Sequence, residues 1–250
     1  MPFFCSFLIT KRKVPCVFHC IYYIFICGRF DADDEDCPVE KSHAGNTQFC
    51  LRTHDIKGCT MTKVIAINGS ARKDGNTAIL IRHMLEELEN EGIETKLVQL
   101  AGKTIRGCTA CMKCFENRDR RCVFDDDVVN EYIEKMAAAD GIILGSPVYF
   151  TDVTAEMKAL VDRAGVVSLA NDGLFKRKVG SAVVAQRRLG AIHSLDTLLH
   201  FLLIADMIVP GWPVIGVGRD IGDVDKDDEG IARAKNVGRN MAWLLKAVIR

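Results

Sequence analysis

The sequence has no excess of charge of either sign and no long apolar run. Its 33 Lys and Arg residues balance its 33 Asp and Glu residues. Proteins that bind nucleic acid or anionic membranes through electrostatics usually carry a basic excess. The longest apolar run, roughly residues 14–27, is shorter than the ~20 residues that a membrane-spanning helix needs. The sequence therefore predicts neither a nucleic-acid partner nor a membrane partner.

Clear periodicity is also missing from residues 1–60, although they hold seven of the eleven cysteines. These seven contain no C-x-x-C pair, which argues against a small metal module. No small-residue cleavage site follows the apolar run, so a secretory signal is not predicted and we expect a cytoplasmic protein. We interpret residues 1–60 as an extension outside the functional fold, read from an upstream start, and residues 61–250 as one domain. A weak membrane anchor and a metal module are the alternatives.

From residue 61 onward, apolar runs alternate with amphipathic segments. Strand-like runs occupy residues 63–68, 93–100, 141–150, 178–186 and 208–218, and helical periodicity covers residues 76–91, 126–139, 154–167, 194–207 and 229–249. This alternation predicts an α/β fold, an open, doubly wound parallel sheet of five strands with helices on both faces. We expect Trp212 and Trp243 in its core. Ligands of such sheets bind at the carboxyl ends of the strands.

The loop after the first strand reads "GSARKDGNT" (69–77). Its glycine spacing is one residue too long for a Walker P-loop, whose lysine is replaced by Asn76, and it lacks the G-x-G-x-x-G of dinucleotide sites. It offers the side chains of Ser70, Arg72, Asn76 and Thr77 beside the N–H groups of a helix start. This set suits a phosphate monoester. The alternative is that Asn76 or Thr77 merely caps the helix.

Two further loops follow the third and fourth strands. The third strand ends in Pro147, Val148, Tyr149 and Phe150, and the fourth in Gln186 and Arg187. A rigid proline followed by aromatic residues can present peptide groups and a ring face to a flat heteroaromatic. The alternatives are that the aromatic residues pack beneath the next helix and that the arginine is a solvated surface residue.

A cysteine loop lies between the second strand and the next helix. It has the form C-x2-C-x2-C-x7-C, with Cys108, Cys111, Cys114 and Cys122. Four thiolates with this spacing can wrap one compact iron–sulfur cluster, and the first three resemble the bacterial ferredoxin run. Free or redox-active thiols and a zinc site are the alternatives.

Together, "NGSARKDGNT", "GSPVYFTDVTAEMKALVDR" and the cysteine loop resemble the flavodoxin-like NAD(P)H-dependent FMN reductase family, and within it the iron–sulfur flavoproteins. The resemblance covers nearly all of residues 61–250. It implies strand order 2-1-3-4-5 and bound FMN, with its phosphate at Ser70, Arg72, Asn76 and Thr77. Residues 147–150 would line the isoalloxazine ring, and the loop around 186–190 would lie beside it. The cysteine loop would hold a [4Fe-4S] cluster.

The resemblance predicts an FMN-dependent oxidoreductase. Electrons would come from NAD(P)H or from the cluster and leave for a small acceptor such as a quinone, a flavin or an oxygen species. The alternative is a non-enzymatic carrier between redox proteins, against which the balanced charge counts modestly. The apolar helix at residues 194–207 and the aromatic residues near the flavin loop predict a homodimer.

Overall fold

A single parallel sheet organises the domain. The computed structural model describes residues 61–248, so the interpretation of residues 1–60 lies outside the described residues. The strands are β1 (Lys63–Asn68), β2 (Glu94–Gln99), β3 (Gly141–Pro147), β4 (Val179–Gln186) and β5 (Val214–Val217). They pair in parallel in the order β2-β1-β3-β4-β5. The predicted fold class and strand order are confirmed.

Helices follow the strands along the chain. They are α1 (Asn76–Asn90), α2 (Lys113–Asn117), α3 (Val129–Ala138), α4 (Ala155–Ala170), α5 (Ala191–Ile204) and α6 (Asp228–Val248), with a 3-10 turn at Asp223–Lys226. The five helices predicted from periodicity are confirmed, with shifted ends. The short α2, inside the cysteine loop, was not predicted because five residues are too few for a helical period.

Two apolar cores cover the two faces of the sheet. Consecutive residues of β1, such as Val64 and Ile65, belong to different cores because successive side chains point to opposite faces of a strand. Helices α3, α4 and α5 pack on one face, and α1 and α6 pack on the other. Burial on both faces explains why β1 and β3 read as continuous apolar runs rather than as alternating ones.

The expectation that both tryptophans lie in the core is wrong. Trp212 is 60% exposed in the loop before β5, and Trp243 is 72% exposed on α6. Helix α6 turns Val237, Met241 and Leu245 inward, so Trp243, two residues beyond Met241, falls on the outward side of the 3.6-residue period.

None of the helices within residues 61–248 combines the length and the apolar character that a membrane span requires.

The strand order reverses between β1 and β3, and their carboxyl ends are joined. Gly69 N–H donates to the carbonyl oxygen of Gly145 at 2.7 Å. The Thr154 hydroxyl, at the start of α4, donates to the carbonyl oxygen of Gly69 at 2.9 Å. A Cβ atom at Gly69 would lie 3.1 Å from the oxygen of Gly145, so glycine permits this approach. The loops after β1, β3 and β4 therefore meet at one edge of the sheet.

Candidate functional site: a strand-end cleft and a cysteine loop

A cleft opens where these loops meet. It is lined by Ser70, Arg72, Gly75, Asn76, Thr77, Pro147, Val148, Tyr149, Ala185, Arg187, Gly218 and Arg219. Of the cofactor-binding residues predicted from the sequence, all except Phe150 and Gln186 line it. Gly218 and Arg219, which follow β5, were missed because only the loops after the first, third and fourth strands were taken as candidate binding loops.

Phe150 and Gln186 lie beside the cleft rather than along it. Phe150 occupies the tip of a tight turn, with a φ of 46°, and is fully exposed. The turn is closed by Tyr149 N–H, which donates to the Asp152 carbonyl oxygen at 2.8 Å. The Gln186 side-chain oxygen accepts the N–H of Ala191 at 3.2 Å. Gln186 therefore fixes the start of α5, and Phe150 is presented to the exterior.

Helix α1 begins without a side-chain cap. Its N-cap residue is Gly75, and no side chain caps the N–H groups of the first turn. The alternative that Asn76 or Thr77 serves as the cap is therefore wrong. Unpaired N–H groups at a helix start, together with the helix dipole, favour an anion.

Asn76 uses its side chain to hold the loop after β5. Its amide donates to the Asp220 carbonyl oxygen at 2.9 Å and accepts the N–H of Gly222 at 3.0 Å. A Cβ atom at Gly218 would lie 2.7 Å from the Asn76 amide nitrogen, so this loop packs tightly. Asn76 can thus offer its backbone N–H to a ligand, whereas its side chain keeps the loop after β5 against the cleft.

Two hydroxyl groups in the cleft have hydrogen-bonding capacity to spare. The Thr77 hydroxyl is buried and has no partner. The Ser70 oxygen accepts the N–H of Arg72 at 3.1 Å, and its own hydrogen remains available. A buried hydroxyl without a partner costs about 1–3 kcal/mol, which a phosphate oxygen would offset. The donor set therefore fits the phosphate of FMN.

The loops after β3 and β4 pack directly on each other. Gly190 adopts a φ of 94°, and a Cβ atom there would lie 2.8 Å from both Thr151 Cα and Val148 Cγ1. Val148 N–H donates to the Ala185 carbonyl oxygen at 2.9 Å, so the β3–β4 ladder continues past Pro147. Tyr149, 46% exposed, is held at the cleft by this backbone.

The four cysteines of the cysteine loop line one small pocket. Cys108 and Cys111 are exposed, Cys122 is half-buried, and Cys114 is buried at α2. Burial raises the pKa of the Cys114 thiol. Within residues 61–248, no three metal-binding side chains are close enough to hold an ion as they stand. The donor chemistry and the shared pocket fit a cluster, which would draw the thiols together.

Arg163, which sequence reasoning missed, anchors the cysteine loop. Its side chain is completely buried and is paired with Asp127, itself 4% exposed. Its Nε donates to the Cys122 sulfur at 3.3 Å. Its terminal nitrogens donate to the carbonyl oxygens of Arg106 at 3.2 Å and Phe124 at 2.8 Å. One guanidinium group thus reaches four points on a segment that carries little regular structure.

Asp127 and Asn130 complete this anchor. Burial opposes ionisation of Asp127, but hydrogen bonds from Arg106 N–H and Arg163 prevail and lower its pKa. Asn130 accepts Cys122 N–H at 2.8 Å and donates to the Cys122 carbonyl oxygen at 2.9 Å.

The sequence did contain an indication of the role of Arg163. Arg163 stands on the α4 face that buries Leu160 and Val167, and a buried charge requires a partner.

Helix α4 connects the two sites. Thr154, its N-cap, contacts the loop after β1, and Arg163 contacts the cysteine loop. The nine-residue step from Thr154 to Arg163 corresponds to about 14 Å along the helix axis. The strand-end cleft and the cysteine loop are therefore separate sites that share one rigid element.

Comparisons with known proteins agree with this arrangement. Residues 62–220 match the profile of the family described as NADPH-dependent FMN reductase. The chain is 40% identical over 195 residues to an iron–sulfur flavoprotein of Methanocaldococcus jannaschii, covering 74% of this chain and 98% of that protein. It is 39% identical to an iron–sulfur flavoprotein of Methanosarcina thermophila, covering 74% of this chain and 96% of the relative.

Solved structures support the fold. A flavone reductase superposes with a TM-score of 0.58 at 20% identity, over 76% of this chain and 65% of that one. An oxidoreductase of Corynebacterium diphtheriae superposes with a TM-score of 0.54 at 14% identity, over 75% of this chain and 98% of that one. At these identities the likeness concerns chain topology alone.

Proposed function

Because the chain belongs to the NADPH-dependent FMN reductase family, in its iron–sulfur flavoprotein subgroup, we propose that it is an oxidoreductase that holds FMN in the strand-end cleft. The observation that carries this proposal is the buried Thr77 hydroxyl, which lacks a partner and stands on the first turn of an uncapped helix. Nothing else within residues 61–248 satisfies it, and a phosphate oxygen has the required chemistry.

Different residues of the cleft would bind the phosphate and the ring of FMN. Ser70, Thr77 and the N–H groups of α1 would hold the phosphate, with Arg72 as its cation. Pro147, Val148 and Tyr149 would orient the ring through backbone groups and an aromatic face. Bound FMN supplies the hydride and electron chemistry, and the protein supplies position and electrostatics.

The electron donor is proposed to be NADH or NADPH, or the cluster. In support of a nucleotide, Arg187 and Arg219 both line the cleft and add positive charge beside the flavin position. The acceptor is proposed to be a small oxidant such as a quinone, a free flavin or an oxygen species, which can reach the cleft from the exterior.

The cysteine loop is proposed to hold a [4Fe-4S] cluster through Cys108, Cys111, Cys114 and Cys122. Their shared pocket supports this ligand set. A cluster there would exchange electrons with the protein exterior, because Cys108 and Cys111 are exposed.

A homodimer is proposed on the basis of one apolar surface between α4 and α5. A groove there includes Val166, Leu169, Phe201 and Ile204. Leu169 is 54% exposed and Ile204 is 67% exposed, which is unfavourable unless a second copy covers them. Sedimentation should give a dimer, and Ile204→Glu should shift it toward the monomer; a monomeric wild type would contradict the proposal.

A second candidate is a carrier between redox proteins. Arg118, Arg120 and Arg121 in the cysteine loop are exposed and form no ion pair within residues 61–248. An acidic redox protein would find complementary charge beside the exposed thiols. This observation favours electron entry from a protein at the cysteine loop.

Anaerobic mixing distinguishes the two candidates. FMN-loaded protein is mixed with NADH, with NADPH, or with a reduced acidic ferredoxin, and flavin absorbance is followed. Rapid bleaching by a nucleotide supports the reductase. Bleaching only by ferredoxin, and its loss in Cys108→Ser/Cys111→Ser, would exclude a nucleotide donor and support electron entry through the cluster, as the carrier requires. If none of the three donors bleached the flavin, both candidates would fail.

A further inference from the structure

We propose that Arg163 is a positioning residue that holds Cys122 and raises the reduction potential of the cluster through a hydrogen bond to its sulfur. The inference rests on the proposed function, since it concerns the cluster assigned above to the cysteine loop. It assigns a role to a residue outside the ligand set.

The geometry at Arg163 is fixed from several directions. The side chain is completely buried, and its Nε donates to the Cys122 sulfur at 3.3 Å. The other nitrogens are held by Asp127 and by the carbonyl oxygens of Arg106 and Phe124. A guanidinium held in this way cannot turn away from the sulfur, because each alternative rotamer would abandon buried partners.

Cys122 differs in this respect from the other cysteines. The Cys108 sulfur accepts the backbone N–H of Ala110 at 3.5 Å. Among the described residues, no side chain donates to the sulfur of Cys108, Cys111 or Cys114. Cys122 is therefore the one position of the loop where a charged side chain faces the sulfur directly.

Reduction adds negative charge to a cluster and its sulfurs. A hydrogen bond from a charged donor stabilises the reduced form more than the oxidised form, and so raises the potential. Asp127 opposes this effect, because its carboxylate neutralises part of the guanidinium charge. The two partners of one ion pair should therefore shift the potential in opposite directions when they are altered.

The test is a potentiometric titration of the full-length protein, purified anaerobically, with iron content measured on each sample. Arg163→Lys keeps the charge beside Asp127 but cannot serve Cys122 and two carbonyl oxygens at once. At the midpoint potential of the wild-type cluster, we expect the ratio of reduced to oxidised cluster in Arg163→Lys to fall about tenfold. This corresponds to a midpoint potential lower by about 59 mV for a one-electron couple. Asp127→Asn should raise the same ratio by a few-fold.

Arg106→Gln is the matched control. Arg106 lies over the ring of Phe124 at 4.7 Å and pairs with Asp126, yet its side chain reaches no sulfur. Loss of the Arg106 side-chain charge should leave the ratio of reduced to oxidised cluster within about twofold of the wild type. The midpoint potential of the flavin should be unchanged in all three variants, because none of Arg163, Asp127 and Arg106 lines the strand-end cleft.

Opposite shifts in Arg163→Lys and Asp127→Asn would support the proposal, since general loosening of the loop would move both variants in one direction. Equal midpoints, or shifts of the same sign, would overturn it. If Arg163→Lys failed to bind iron, the direction of the shift in Asp127→Asn would decide: a raised midpoint potential of the cluster supports the proposal, and an unchanged or lowered one overturns it. A wild type without iron would instead refute the proposed cluster, and this inference with it, so the two failures are distinguishable.

Discussion

The strand-end cleft and the cysteine loop achieve their form by different means. The cleft is built from backbone at the ends of β1, β3 and β4, and its side chains occupy positions that the sheet dictates. The cysteine loop contains one helix of five residues and left-handed backbone at Ala110, Met112, Arg118 and Arg120. Its form depends on side chains, chiefly on the buried Arg163.

The difference shows where each site is vulnerable. A change in one cleft residue leaves the sheet intact, so we expect it to alter ligand affinity more than stability. A change at Arg163 removes the common partner of several loop segments, so we expect it to affect stability first. The following predictions test that contrast, in order of decreasing effect.

Arg163→Met should destabilise the protein most. It leaves the Asp127 carboxylate buried without its cation, which typically costs about 3–5 kcal/mol. Urea unfolding measures the loss. Arg106→Met, in a pair whose side chains are half-exposed, should cost less than about 1 kcal/mol. Similar losses in both variants would show that Arg163 is not the principal anchor of the loop.

Gly190→Ala should cost less, and should affect the cleft. A Cβ atom would overlap Thr151 Cα and Val148 Cγ1 at 2.8 Å, in addition to the ~1–2 kcal/mol strain of left-handed backbone. The matched control is Gly92→Ala, where φ is also positive but no atom lies within 4 Å. We expect weaker FMN binding in Gly190→Ala alone. Equal stability losses in the two variants would contradict the close packing of these loops.

Thr77→Val should separate binding from stability. Thr77 is buried and its hydroxyl is unpaired, so its removal should leave apoprotein stability unchanged or slightly raised. The loss of a donor to a charged phosphate should weaken FMN binding about tenfold. Fluorescence titration of apoprotein with FMN provides the measurement.

Ser181→Ala is the control for Thr77→Val, because Ser181 also has a buried hydroxyl without a partner but lies within β4, away from the cleft. FMN affinity should not change in this variant. Wild-type affinity in Thr77→Val would refute the assignment of the phosphate position.

The smallest effect concerns acid stability. The pKa of Asp127 is lowered in the folded protein, relative to about 3.9 in the unfolded chain. Its stabilising contribution is therefore fully present above pH ~4 and is lost as the pH falls through the folded-state value. The difference in unfolding free energy between wild type and Asp127→Asn should be constant from about pH 7 to 5 and shrink below about pH 4. A constant difference at all acidic pH values would contradict this.

The same contrast explains what sequence reasoning could predict. The parallel sheet followed from periodicity and the cleft residues from the loops after buried strands, because the sheet places both, whereas the strand order came from the family resemblance. The role of Asn76 was not predictable, because its partners lie 144 and 146 residues further along the chain. The Arg163–Asp127 pair was equally hidden, although a charge on an apolar helix face indicated that some partner had to exist.

One measurement tests the central claim that this domain carries two cofactor sites, one at the cleft and one at the cysteine loop. It is the absorbance spectrum of the full-length protein, purified anaerobically, with flavin and iron determined on the same sample. We predict flavin bands, a broad iron–sulfur shoulder and about four irons per chain. Flavin without iron would refute the cluster, and no flavin after addition of FMN would contradict the account as a whole.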